Sequence, residues 1–133
     1  MMRDFDTDTL KVITTFENIT GSEVRDCICS ETIYFLVNPG KIAIAIGKGG
    51  KNIKVAERFI KRPIKVFEWS DDGEQLIKNM IPNLQKLVLN ENHAVVTIDS
   101  KHKGSVIGKG GSNIKIIREF LTRNSQIKEL KVL

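Results

Sequence analysis

The sequence has few of the residues that build metal or catalytic sites. Its 133 residues include two cysteines and two histidines, and a structural zinc site needs four ligands. His93 and His102 lie far along the chain from Cys27 and Cys29, so we expect neither a metal nor any other cofactor. So few histidines also leave no serine, histidine and acid order that would indicate a nucleophilic triad. The sequence therefore predicts a protein that is not an enzyme.

Long hydrophobic runs are missing as well. No apolar stretch approaches the roughly 18 residues of a membrane-spanning helix, and the acidic start has no hydrophobic signal segment. Hydrophobic residues make up 41% of the chain and charged residues 28%, which is typical of a soluble globular protein. We expect a monomer in the cytoplasm with no membrane partner.

The two cysteines stand two residues apart in a segment that is typical of a strand. Side chains at that spacing point to the same face of a sheet, and cysteine is among the residues found most often in protein interiors. We therefore expect Cys27 and Cys29 to be buried, reduced thiols.

What the sequence does contain is an internal repeat. The segment Ile-Gly-Lys-Gly-Gly-Lys-Asn-Ile-Lys that begins at Ile46 returns 61 residues later at Ile107, with eight of nine positions identical. The match at the same offset extends to Phe59 and Phe120. Such a repeat implies two copies of one structural unit, each with a small core that gains from docking to the other. We place the units at residues 1–69 and 70–133, with a junction too short to be a flexible tether.

Positive charge recurs with the repeat. Residues 41–65 hold eight basic residues and one acidic residue, and residues 101–133 hold eight basic and two acidic residues. The segments before them, 1–40 and 66–100, each have a net charge of −4. A solvated surface normally mixes the two signs, so a positive block around each copy predicts a nucleic-acid contact.

Caps, breakers and apolar periodicity predict the same order of elements in both units: helix, strand, strand, short helix, glycine loop, helix and strand. The first unit should have a helix capped by Asp6 or Thr7, strands at 24–29 and 32–37, helices at 41–46 and 51–62, and a strand at 64–69. The second should have a helix starting at Ser70 or Asp71, strands at 85–89 and 94–99, the same pair of helices around its loop, and a strand at 127–133.

Apolar residues at helical spacing define the faces that we expect to be buried. They are Leu10, Ile13 and Phe16 on the first helix, Ile53, Ala56, Phe59 and Ile60 after the first loop, and Leu76, Ile77, Met80 and Ile81 on the opening helix of the second unit. The isoleucines flanking the loops should lie in the core for most of their area, or else form the floor of a binding groove. Aromatic residues make up 6% of the chain and most fall on such faces, so aromatic stacking platforms are not expected.

Each glycine loop has the pattern Gly-x-x-Gly between two helices. Residues without a Cβ let a phosphate backbone approach the chain closely, and a lysine at the loop tip, followed by basic residues three and four apart on the next helix, supplies cations. The residues that we expect to bind a polynucleotide are Ile46, Gly47, Lys48, Gly49, Gly50, Lys51, Asn52, Lys54 and Arg58 in the first copy, and Ile107, Gly108, Lys109, Gly110, Gly111, Ser112, Asn113 and Lys115 in the second.

Other glycine motifs do not fit the spacing. A P-loop needs a glycine five positions before its Gly-Lys pair, where Ile42 and Lys103 stand. A dinucleotide fingerprint needs a third glycine where Asn52 and Asn113 stand.

The two loops resemble the signature loops of K-homology (KH) domains. The order of elements is similar to the type II arrangement, which implies an α+β fold of layered α and β elements: two tandem type II KH domains, each a three-stranded mixed sheet covered by three helices on one face. Within this family Asp26-Cys27, Phe35-Leu36-Val37 and Ala45-Ile46-Gly47 resemble the NusA-like group of transcription factors, in particular its short archaeal form.

That resemblance implies a single-stranded RNA-binding protein in transcription termination or antitermination, with each groove taking about four nucleotides and bases lying on aliphatic surface. RNA polymerase is an implied partner, although the chain has no room for the polymerase-contacting domain of the bacterial factor. The alternative is a ribosome-assembly or ribosomal RNA-binding factor, since KH units of this type also occur there. Ser112 replaces Lys51 in the second copy, so we expect the first loop to hold the backbone more strongly.

Overall fold

The computed structural model describes residues 5–133. The chain divides into two compact units that part between Trp69 and Ser70. Both units have the same order of elements, α-β-β-α-α-β. None of the helices in residues 5–133 is long and apolar enough to cross a bilayer.

The first unit opens with a helix that begins and ends where the sequence predicts. The carboxylate of Asp6 accepts a hydrogen bond from the Thr9 amide at 2.7 Å, which satisfies one of the free N–H groups of the first turn. Gly21 ends the helix in a left-handed conformation, with φ of 73°. The elements are α1 (Thr7–Thr20), β1 (Val24–Cys29), β2 (Ile33–Val37), α2 (Ile42–Ile46), α3 (Lys51–Ile60) and β3 (Ile64–Glu68).

The second unit opens with a shorter helix and ends with a shorter strand than predicted. The N-cap of its first helix is Asp72, and neither Ser70 nor Asp71. The Ser70 hydroxyl accepts instead from the Asp72 amide at 3.1 Å, which tightens the turn before the helix. The elements are α4 (Gly73–Met80), β4 (Leu84–Asn90), β5 (His93–Ile98), α5 (Ser100–Ile107), α6 (Ser112–Asn124) and β6 (Glu129–Val132).

Each unit contains a three-stranded mixed sheet. In the first, β2 lies between an antiparallel β1 and a parallel β3, with Phe35 opposite Cys27 on one side and Val66 on the other. In the second, β5 has the same place between β4 and β6, with Val96 opposite Leu87 and Val132. The parallel pair requires a crossover, and the two helices around the glycine loop supply it. The fold class predicted from the sequence is confirmed.

The helices of the first unit pack on one face of its sheet. Alternate residues of β2, among them Phe35, point to that face and join one cluster with Phe16 of α1, Ala45 of α2 and Ala56 of α3. The rings of Phe16 and Phe35 stack with their centroids 3.9 Å apart. The loop between α2 and α3 is therefore held by two helices that are anchored in the core.

Two predictions of helical burial are wrong. Leu10 is 48% exposed and Phe59 is 69% exposed. In both helices these residues continue a row of apolar residues spaced by three, and such a row turns about 60° per step around a helix with 3.6 residues per turn. Leu10 lies two steps from Phe16, and Phe59 two steps from Ile53, so both leave the face that the rest of the row buries.

The cysteine prediction is half wrong. Cys27 and Cys29 share a face as expected, with their sulfur atoms 3.9 Å apart, and both are free thiols. Cys27 is buried, but Cys29 is the last residue of β1 and is exposed. A strand end has fewer neighbours to cover a side chain, and the spacing of two says nothing about that.

Candidate nucleic-acid interface

The two glycine loops have the same backbone conformation. Each continues from its preceding helix through a single 3-10 turn, Lys48–Gly50 in the first unit and Lys109–Gly111 in the second. Gly47 has φ of 77° and ψ of 168°, and Gly108 has 78° and 168°. That region is essentially restricted to glycine. Glycine at the first position of both loops is therefore a requirement of their conformation.

The glycines at the first and third positions of the pattern have different surroundings. A Cβ on Gly47 would lie 2.8 Å from the backbone nitrogen of Asn52, and one on Gly108 would lie 2.8 Å from that of Asn113. A Cβ on Gly49 or on its equivalent Gly110 would meet nothing within 4 Å. The glycine at the first position is thus needed for packing inside the loop, whereas the glycine at the third position leaves an open surface on the outside of the loop.

The two asparagines hold each loop together. The side-chain amide of Asn52 donates to the Ile44 carbonyl at 2.7 Å, and that of Asn113 donates to the Val106 carbonyl at 2.8 Å. Each bond joins the helix after the loop to the helix before it. The sequence predicts both asparagines as binding residues, whereas the structure shows their side-chain amides bonded to carbonyls within the loop region. Their presence in both copies next to the glycines was the sequence signal for such a role.

The predicted cations are exposed. Lys48 and Lys109 lie at the loop tips, and Lys51, Lys54 and Arg58 lie along α3. At 100° per residue these last three fall within about 60° of one another around the helix. They form a single basic stripe that starts at the first loop, and we call it the α3 stripe. Gly50 completes the first loop, also with a positive φ of 77°.

The second unit has a shorter row of free cations. Lys115 and Ser112 of α6 are exposed, as is Arg118, but the guanidinium of Arg118 donates from Nε to the Leu130 carbonyl of β6 at 3.1 Å. That bond directs part of the guanidinium to the sheet. The inequality of the two copies that the sequence predicts at Ser112 is therefore increased by a contact that the sequence does not show. Gly111 has a left-handed φ of 78°, close to the 77° of Gly50 in the first loop.

The isoleucines beside the loops divide between core and surface. Ile114 is buried and Ile53 packs against the core of the first unit, in agreement with the prediction. Ile46 is 39% exposed, and its neighbour Ile44 is also exposed, so the prediction of a core position is wrong there. Ile107 is half-buried. The end of α2 thus presents aliphatic surface next to the cations of the first loop.

An acidic cap starts the helix before the second loop. The carboxylate of Asp99 accepts from the His102 amide at 2.9 Å and lies 3.0 Å from Nδ1 of the His102 ring. The hydrogen bond from the His102 backbone amide is the main cause that lowers the pKa of Asp99 below its ordinary value of 3.8. The cap orients α5, whose last turn enters the loop at Gly108. Among residues 5–133 no group of three or more histidine, cysteine, aspartate or glutamate side chains is placed to hold a metal ion.

Comparisons with known proteins agree on both units. The KH domain family matches residues 11–71 and again residues 74–132. The protein named "Probable transcription termination protein NusA" of Methanocaldococcus jannaschii is 31% identical over 96% of this chain and 73% of its own length. Its namesake from Methanococcus vannielii is 32% identical over 96% of this chain and 78% of its own. The crystal structure of APE1850 superposes with a TM-score of 0.77 at 30% identity, over 97% of this chain and all of that one.

Proposed function

Because the chain belongs to the KH domain family and, within it, to the archaeal NusA-like proteins, we propose that it binds single-stranded RNA and acts in transcription termination or antitermination. The relatives described above are named as termination proteins, which favours this function over a role in ribosome assembly. A KH domain binds RNA and does not catalyse a reaction, so the protein is not an enzyme. It works as a cytoplasmic monomer, and the boundary between its two domains follows Trp69.

The observation that carries the proposal is the open side of the doubled loop. At Gly49 and Gly110 a Cβ would meet nothing, so a sugar-phosphate backbone has free access to the loop at that point. An exposed lysine stands directly before each of these glycines. A phosphate at the loop therefore meets a cation and no side chain that would block it.

The remaining residues have separate roles. Lys48 and Lys109 pair with phosphates, and the α3 stripe continues that contact along the helix. Asn52 and Asn113 position the loops through the hydrogen bonds that their side-chain amides donate to the carbonyls of Ile44 and Val106. The exposed aliphatic surface at Ile46 supports a base in the first groove.

Charge reversal at the loops tests this mechanism. The first variant combines Lys48→Asp with Gly49→Asp, the second combines Lys109→Asp with Gly110→Asp, and a third carries all four changes. Loss of one charge-assisted hydrogen bond costs about 1.5–3 kcal/mol, so each loop should cost about 10- to 150-fold in affinity. The first loop should cost more than the second because of the α3 stripe. Fluorescence anisotropy with single-stranded RNA at constant salt measures these losses.

A control variant separates charge from position. Lys11→Asp with Asn18→Asp changes the net charge by the same amount as one loop variant, at two exposed residues of α1. It should retain most of the affinity. Full RNA binding by the folded four-residue variant, or equal losses in the control and the loop variants, contradicts the loop mechanism.

The cellular role needs a separate measurement. RNA crosslinked to the protein in cells should be nascent transcript, and RNA polymerase should copurify with it. Recovery of pre-ribosomal RNA together with assembly factors would instead identify the ribosome-assembly alternative.

A further inference from the structure

Phe59 is an aromatic side chain that the fold of the first unit leaves in water. Its side chain is 69% exposed, and it is the only aromatic residue between residues 5 and 133 that is classed as exposed rather than buried or half-buried. The other phenylalanine at this place in the repeat, Phe120 of α6, is fully buried. The same residue type thus serves the core in one copy and is free for a contact in the other.

The difference arises from the neighbours of the two rings. In α6 the buried residues Ile116 and Ile117 precede Phe120 and widen the apolar face. In α3 the equivalent residues are the smaller Val55 and Ala56, of which only Ala56 is buried. The buried face of α3 is therefore too narrow to include Phe59.

Phe59 borders the α3 stripe. It follows Arg58 directly, and at 100° and 1.5 Å per residue it lies about 80° around the helix and about 12 Å along it from Lys51. Lys61, at the end of the helix, is also exposed. Around the helix Phe59 lies about 100° from Arg58, so a polyanion that follows the stripe away from the first loop comes level with the ring at Arg58, and a base turned away from the stripe reaches it.

We propose that Phe59 stacks on a base of the single-stranded RNA after the strand leaves the first glycine loop. The proposal rests on the proposed function and adds a nucleotide position outside the groove of about four nucleotides. The charge around the ring selects RNA as its occupant, since the lysines and Arg58 attract phosphates. Stacking on an aromatic ring accepts any base, so this position adds affinity and little sequence preference. It departs from the expectation that aromatic stacking platforms are absent.

Substitutions that separate stacking from apolar contact test the proposal. Phe59→Leu keeps an apolar side chain and removes the ring, whereas Phe59→Trp keeps a ring. With single-stranded oligoadenylate about twice as long as one groove, the leucine variant should bind about 5- to 150-fold more weakly, and the tryptophan variant should bind as well as the wild type. With an oligoadenylate of about four nucleotides, all three proteins should bind alike.

The tryptophan variant also gives a direct signal. Its new indole should be quenched by the long RNA, while the emission of the wild type, whose one tryptophan is Trp69, should change less. Leu10→Ala, which removes another exposed apolar side chain from the same unit, is the matched control and should leave RNA binding unchanged.

The outcomes separate this inference from the proposed function. If the wild type binds neither RNA, the proposed function fails. If the wild type binds and the loop variants do not, but the leucine variant binds the long RNA like the wild type, the stacking role of Phe59 is refuted. Equal losses by the leucine variant on the short and the long RNA also refute a position outside the groove.

Discussion

The two kinds of glycine in the loops should respond differently to the addition of one methyl group. In Gly47→Ala the new Cβ lies 2.8 Å from the Asn52 nitrogen and from the carboxamide carbon of the same residue. The alanine also has to adopt φ of 77° with ψ of 168°, a combination that costs about 1–3 kcal/mol for a residue with a side chain. Relief of the contact breaks the bond from Asn52 to the Ile44 carbonyl, at about 0.5–1.5 kcal/mol.

These costs predict a large effect at Gly47 and a small one at Gly49. Together they amount to about 1.5–4.5 kcal/mol for Gly47→Ala, which should lower the melting temperature by about 6 °C or more for a domain of this size. Gly49→Ala has no steric contact and has φ of 63° and ψ of 21°, so it pays only the left-handed strain of about 1 kcal/mol. Its Cβ nevertheless stands where the phosphate should pass, and its RNA affinity should fall.

Thermal unfolding followed by circular dichroism, together with RNA anisotropy, measures both effects. Gly108→Ala and Gly110→Ala provide the same contrast in the second unit. Equal melting temperatures for the Gly47→Ala and Gly49→Ala variants would show that the packing argument is wrong. A Gly49→Ala variant that unfolds like the wild type and binds RNA equally well would contradict the open surface as the RNA contact.

Two further perturbations test the supports of the loops. Asn113→Ala removes the hydrogen-bond donor of the Val106 carbonyl at a buried site and should lower the free energy of unfolding by about 1–3 kcal/mol. Asn52→Ala removes an exposed hydrogen bond and should lower it by about 0.5–1.5 kcal/mol. Urea unfolding compares the two variants, and a larger loss for Asn52→Ala would contradict the argument from burial. The pKa of Asp99 is lowered in the folded protein, so its cap stabilises the fold above the ordinary value of 3.8 and this contribution is lost as the pH falls through the lowered pKa. The Asp99→Ala variant should therefore have a lower free energy of unfolding than the wild type at neutral pH, and this difference should shrink in acid. A difference that stays constant down to pH values well below 3.8 would contradict a contribution from the ionised Asp99 cap.

Local signals predicted most of the fold. The order of elements follows from turn residues, capping residues and the period of the apolar pattern, and the structure confirms the mixed sheets and the helix pair around each loop. The helix start at Asp6 was predicted because its capping side chain acts within one turn. The start of α4 was missed by one or two residues, since Ser70, Asp71 and Asp72 all have side chains suited to a cap and the choice among them depends on the turn that precedes the helix.

The sequence predicts the residues of the candidate site, but it does not show which of them pack inside the loops and which face open space. A repeated Gly-x-x-Gly identifies both loops, and the charge pattern identifies their basic surroundings. The sequence does not show that Gly47 packs against Asn52 whereas Gly49 faces open space, because these contacts depend on how α2 and α3 meet. The sequence does not show the hydrogen bond from Arg118 to Leu130 for the same reason, since the position of β6 beside α6 depends on the pairing of β6 with β5.

The sequence by itself determined that the protein consists of two copies of one unit, each with a glycine loop in a positive block, because repeats, charges and glycines are properties of the chain. Tertiary structure alone decided which residues at the same place in the repeat also have the same burial. Phe59 and Phe120 occupy the same place in the repeat, yet one is exposed and the other buried, because burial depends on the neighbouring side chains and on where the helix turns each residue. That decision made an apparent core residue of the first unit into a candidate contact for RNA.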